Sequence, residues 1–94
     1  DTFSRVFRKS SIKRTKRRGL LRNAAVVIGN RRVPSVVPLL NDRLGVENEP
    51  LVRGHIAWAL GRIGGTDARN GLRAHLLSES DPYVLEEVRY ALEI

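Results

Sequence analysis

The sequence predicts an all-α fold: an α-solenoid of about two and a half stacked helix pairs, preceded by a short N-terminal helix. Three observations carry this reading. The chain repeats itself with a period of 32 residues. Each copy places apolar residues at helical spacing. Proline and glycine fall at matching positions, where helices would begin and end.

The repeat is visible when "LLRNAAVVIGN" (Leu20 to Asn30) is laid over "VRGHIAWALGR" and "VLEEVRYALEI" at successive shifts of 32 residues. Leu20, Val52 and Val84 share a column, as do Ala24, Ile56 and Val88. Val27, Ala59 and Ala91 share the next, followed by Ile28, Leu60 and Leu92. Positions i, i+4, i+7 and i+8 make the apolar stripe of a first, or A, helix. A second, or B, helix follows in each unit. Val36, Leu40 and Leu44 match Ala68, Leu72 and Leu76. Ser35 and Asp67 are the expected B-helix N-caps, with Pro38 tolerated in the first turn. Gly29 and Gly61 share a column at the A-helix ends, and Gly64-Gly65 gives room for a turn. Pro50 and Pro82 open the next A helices. The division is therefore a basic segment over 1–18, repeat 1 over 19–50, repeat 2 over 51–82 and a half-repeat cap over 83–94. Phe3, Val6 and Phe7, at i, i+3 and i+4, suggest the short N-terminal helix, packed on the first pair.

Charge is unevenly placed. The formal net charge is +7. Residues 1–18 hold Arg5, Arg8, Lys9, Lys13, Arg14, Lys16, Arg17 and Arg18 against Asp1, while the nine arginines and nine acids after them cancel. The whole excess sits in the first fifth of the chain, as an anion-binding edge on a neutral body requires. The repeat gives that edge a place. Glu49 and Asp81 stand before the prolines, where acids suit the helix dipole. The same column in the first unit holds Arg17, and Arg18 aligns with Pro50 and Pro82. A cationic helix start opposes the dipole and favours an anionic partner. Free N–H groups there already make an anion site, and basic side chains strengthen it.

Other chemistry is excluded or weak. There is no cysteine and only His55 and His75, so a protein-built metal or iron–sulfur site is not expected. No apolar run could span a bilayer, no signal-peptide core is present, and a cytoplasmic location is expected. No nucleophile–base–acid set exists, so the fragment alone is not expected to be an enzyme. Arg53 either links to a neighbouring acid or turn carbonyl, or contacts phosphate. His55 lies in a polar column with Asn23 and Glu87. Trp58 is either packed among helices or available to stack on a base. Arg22 and Asn23, one turn beyond the cluster, extend a phosphate surface.

The repeat resembles HEAT-like units in "EPLVRGHIAWALGRIGG". Across residues 3–65, "FRKSSIKRTKRRGLLRNAAVVIGN" followed by "LVRGHIAWALGRIGG" resembles the C-terminal part of the epoxyqueuosine reductase family. That resemblance implies a piece of a larger cytosolic oxidoreductase, using cobalamin and two [4Fe–4S] clusters to reduce epoxyqueuosine to queuosine in the tRNA anticodon stem-loop. Its catalytic part would lie upstream. The helical part would grip tRNA through Lys13, Arg14, Lys16, Arg17, Arg18, Arg22 and Asn23, with Arg53, His55 and Trp58 as secondary candidates. Ser11 stands where that family commonly has proline, and Leu85 and Glu86 replace the Arg-Gly of repeat 2. A rival reading is a protein-interaction module that docks an acidic partner or its own catalytic domain.

Overall fold

Proline at a helix start is pre-set in φ and lacks only an N–H that would be unpaired there. Pro50 and Pro82 are accordingly the first residues of two helices. The computed structural model describes residues 14–93, with side chains from Arg18 onward. They form α1 (Arg14–Arg31), a 3-10 turn (Pro34–Val36), α2 (Val37–Val46), α3 (Pro50–Ile63), α4 (Thr66–Leu76) and α5 (Pro82–Glu93), and no strand occurs among the described residues. The expected helix over Phe3, Val6 and Phe7 lies outside them.

The A helices α1, α3 and α5 lie side by side in chain order. The B helices α2 and α4 pack on each other, α2 also on α3, and α4 also on α3 and α5. The core runs between the two layers. Val52, Ile56 and Leu60 of α3 meet Leu40, Leu44 and Leu72 of the B helices and Val84 and Val88 of α5 in one buried cluster. Val36 and Leu76 are half-buried against it.

The 32-residue register holds in three dimensions. A Cβ on Gly29 would collide with Trp58 and the backbone of Ala59, and one on Gly61 would collide with Ala91. Each glycine thus lets the next A helix come close, at alanines that are themselves one period apart. Both glycines lie inside their helices, two residues before the ends. Their role is close approach, not the helix termination expected from sequence. Termination falls three residues later. Gly64 and Gly65 have φ of 73° and 92°, and Arg32, in the column of Gly64, has φ of 52°.

Two expectations are corrected. Ser35 lies in the 3-10 turn, and the residue ahead of α2 is Val36, which makes no side-chain cap. Asp67 is the second residue of α4, not its cap, because the Gly64-Gly65 turn lets the helix start at Thr66. Asp67 still favours the dipole from within the first turn. The buried face of α1 also differs. Leu20 and Val27 are 39% and 51% exposed, whereas Leu21 and Ala25 are fully buried. Leu21, Ala25 and Gly29 share columns with Arg53, Ala57 and Gly61, the side of an A helix that looks forward to the next one. No earlier A helix exists among the described residues to cover the backward-looking side.

Candidate nucleic-acid interface

The helix α1 begins one turn before α3 and α5 do. In the repeat, Pro50 and Pro82 align with Arg18, yet α1 already runs from Arg14. The extra turn carries Arg14, Lys16 and Arg17, and its first turn holds no acid. Its leading N–H groups lack intrahelical acceptors and carry the positive end of the dipole, so side chains and backbone present the same sign. Lys13 lies outside the described residues. Arg14, Arg18 and Arg22 follow one another at i, i+4 and i+8, which places them along one side of the helix.

Arg18 is anchored. Its Nη2 lies 3.6 Å from Oε2 of Glu49, the residue ahead of α3, which ties α1 to α3 at this end. Arg22 and Asn23 are exposed. Burial pushes the Tyr83 hydroxyl above its ordinary pKa, Glu87 and Asp81 add to this, and Arg22 opposes it. The Tyr83 ring itself lies on Gly54, where a Cβ would collide with it.

Arg53 is spent on the scaffold. Its Nε and Nη2 donate to the two oxygens of Glu79 at 2.8 and 2.9 Å, and its Nη1 donates to the carbonyls of Glu47 and Asn48 at 3.0 and 3.1 Å. One guanidinium thus ties two successive B-to-A turns together. His55 donates from Nδ1 to the carbonyl of Leu51 at 2.8 Å. Trp58 packs partly buried on the core, with Gly29 against its ring and Arg62 5.8 Å from its centre. The structure therefore places the main candidates from Arg14 to Asn23 on α1. The three secondary candidates lie on α3, and Arg53 there has its donors committed.

Sequence reasoning missed the acids beneath the turns. Glu47 is buried, with its carboxylate accepting from Arg43 and from the backbone N–H of Glu49. Glu79 repeats this one unit later. Its side chain is 3% exposed and accepts from His75, Arg53 and the N–H of Asp81. Burial raises the Glu79 pKa, but the bonds from Arg53, His75 and Asp81 outweigh it and hold the carboxyl at about 2. The signal was available: a glutamate two residues before Glu49 and before Asp81, which precede Pro50 and Pro82. Among the described residues, no group of three potential metal ligands is close enough to hold an ion.

Two stacked helix pairs and a closing helix, joined by equivalent A-to-A contacts, define an α-solenoid. The family model of HEAT repeats matches residues 12–93, and the chain belongs to that family. It is 37% identical over 67 residues to an epoxyqueuosine reductase of Listeria monocytogenes, an alignment covering 71% of this chain and 18% of the relative. It is 33% identical over 75 residues to an epoxyqueuosine reductase of Bacillus anthracis, covering 80% of this chain and 20% of the relative. A crystal structure of selenomethionine-labelled epoxyqueuosine reductase superposes with a TM-score of 0.74 at 28% identity, over 79% of this chain and 20% of that one. The resemblance read from the motifs is thus found in both sequence and structure. The chain spans about a fifth of the length of these relatives.

Proposed function

We propose that this chain is the tRNA-gripping helical part of an epoxyqueuosine reductase, with α1 as the edge that meets the phosphate backbone. The observation that carries the reading is the extra first turn of α1, which extends past the starts of α3 and α5 bearing Arg14, Lys16 and Arg17 and no acid. Arg18, steadied by Glu49, and exposed Arg22 continue that edge along the helix. Cations spaced along a helix end suit a run of phosphates better than a single small anion. The whole protein would reduce epoxyqueuosine in the anticodon stem-loop, with chemistry supplied by parts outside this chain. The chain has no cysteine, so its residues do not fit an iron–sulfur cluster, and any such clusters and cobalamin would be held elsewhere.

The test is tRNA binding by the 94-residue chain across a salt series. Neutralising roughly four to six phosphates predicts an affinity that falls by orders of magnitude from low to moderate salt. Changing Lys13, Arg14, Lys16 and Arg17 to Gln removes most of that slope and leaves the helical circular-dichroism signal intact. Unchanged binding by this variant overturns the assignment. An acidic protein bound with the same salt slope, without tRNA binding, establishes the rival docking role instead.

A further inference from the structure

One face of α1 is uncovered in columns that later A helices bury. Val52, Ile56 and Ala59 of α3 are fully buried, as are Val84 and Val88 of α5, and Ala91 is 4% exposed. These columns face backward along the stack, since Ala59 meets Gly29 and Ala91 meets Gly61. Leu20, Ala24 and Val27 stand in the same columns one period earlier, with Leu20 and Val27 well exposed. The repeat therefore builds into α1 a seat for one more element.

The nearest candidate occupant is on the same chain. Thirteen residues precede α1, and Phe3, Val6 and Phe7 are their large apolar side chains apart from Ile12. The seven peptide units from Phe7 to Arg14 span at most about 25 Å. Along α1, Leu20 lies about 9 Å from Arg14 and Val27 about 20 Å. The segment can therefore double back and reach either. A second copy of the chain is a poor occupant. Two α1 edges placed face to face would set the cationic positions Lys16, Arg17 and Arg31, which share the helix side of Leu20, Ala24 and Val27 by spacing, against each other on chains of net charge +7.

We propose that the uncovered edge of α1, formed by Leu20, Ala24 and Val27, is the docking face for the chain's own Phe3–Phe7 segment. The proposal stands apart from nucleic-acid binding. It also sharpens the shape of the basic stretch, because doubling back puts Lys13 and Arg14 at the bend.

Introduced cysteine pairs test it, because the chain has none of its own. Val27→Cys is combined in turn with Phe3→Cys, Val6→Cys and Phe7→Cys, and the same three are combined with Leu77→Cys as a control. Leu77 is 91% exposed at the end of α4. Under mild oxidation, at least one pair with Val27 closes within a monomer and migrates faster without reductant, while the Leu77 pairs stay open. Leu20→Cys replaces Val27→Cys should the latter lose its helical signal. A second readout is dye binding, where Phe3→Ser with Phe7→Ser raises the fluorescence of a hydrophobic probe several-fold. Disulfide-linked dimers as the main product overturn the proposal in favour of a second copy. Closure with Leu77 as readily as with Val27, or no closure at all, also overturns it.

Discussion

At Glu79 a carboxylate has been taken out of water and given four donors from three residues. Removing one partner of a buried ion pair costs about 3–5 kcal/mol, because the other is left unpaired. Glu79→Ala strands the Arg53 guanidinium, whose side chain is only 16% exposed, so a loss near the lower end of that range is expected in urea denaturation. The pH dependence follows from the same bonds. Folding lowers the Glu79 pKa from 4.5 to about 2. Its contribution to stability is complete above pH 4.5 and is lost as pH falls from 4.5 towards 2. Melting temperature measured across that window should fall in the natural chain and fall less in Glu79→Gln. The glycines separate by what faces them. Gly61 looks at the backbone of Ala91, which cannot swing aside, whereas Gly54 looks at the outer ring of Tyr83, which can. Gly61→Ala should cost about 1–3 kcal/mol by overpacking, and Gly54→Ala distinctly less in the same chemical melt.

At the scale of the helix, α1 has an unfavourable end at either side. Arg32, the residue just past its C-terminal end, takes a positive φ that suits glycine. Arg32→Gly should therefore stabilise the fold by up to about 1 kcal/mol, read as a raised urea midpoint. Its N-terminal cations oppose the dipole, so Gln at Lys13, Arg14, Lys16 and Arg17 should leave the melting temperature unchanged or slightly higher. Arg18→Gln departs from this pattern. It loses the contact with Glu49 and should cost up to about 1 kcal/mol. Much of this element architecture was legible beforehand. A proline suits the first turn of a helix, so the matched pair Pro50 and Pro82 located the starts of α3 and α5 from sequence. Apolar spacing located the stripe of α3. The same spacing misled in α1, because burial in a stacked fold depends on which neighbours exist, and no period in the residues reports that. Gly29 and Gly61 were visible as a pair but misread, since a glycine near a helix end looks like a stop until the adjacent helix is seen. Glu47 and Glu79 were passed over because acids in a polar turn read as solvated surface. The repeat placed Arg17 and Arg18 at the start of α1, but not the extra turn from Arg14, which has no counterpart in the later units. Of the two readings of Arg53, the link to a neighbouring acid and turn carbonyls is the one the structure shows, though spacing alone could not name Glu79, 26 residues away.

For the molecule as a whole, stability grades from one end to the other. A repeat fold holds each unit mainly through its neighbours, so a layer touched on one side opens more readily than one touched on both. The helix α3 packs against α1 on one side and α5 on the other, while α1 packs chiefly on α3. Amide hydrogen exchange should be slowest in α3, around Ile56 to Leu60, and faster in α1 by a factor of ten or more. No described helix is long and apolar enough to cross a membrane. Charge follows the same gradient. The cations begin α1, and Glu86, Glu87 and Glu93 lie on α5 at the other end of the stack. An approaching polyanion is therefore drawn to one end and repelled from the other, which orients it before contact.

The two glycine–alanine junctions have one further consequence, for extension. Gly29 on Ala59 and Gly61 on Ala91 are the same step taken twice, so the molecule is a short length of a screw whose thread does not change. A duplicate of residues 50–81 inserted before Pro82 would meet the familiar junction on both sides. Gly61 of the first copy would seat on Ala59 of the second, and each copy would bring its own Arg53 and Glu79 to close its turn. The lengthened chain should fold with one more helix pair, add helical signal in proportion, and melt at a higher temperature than the original.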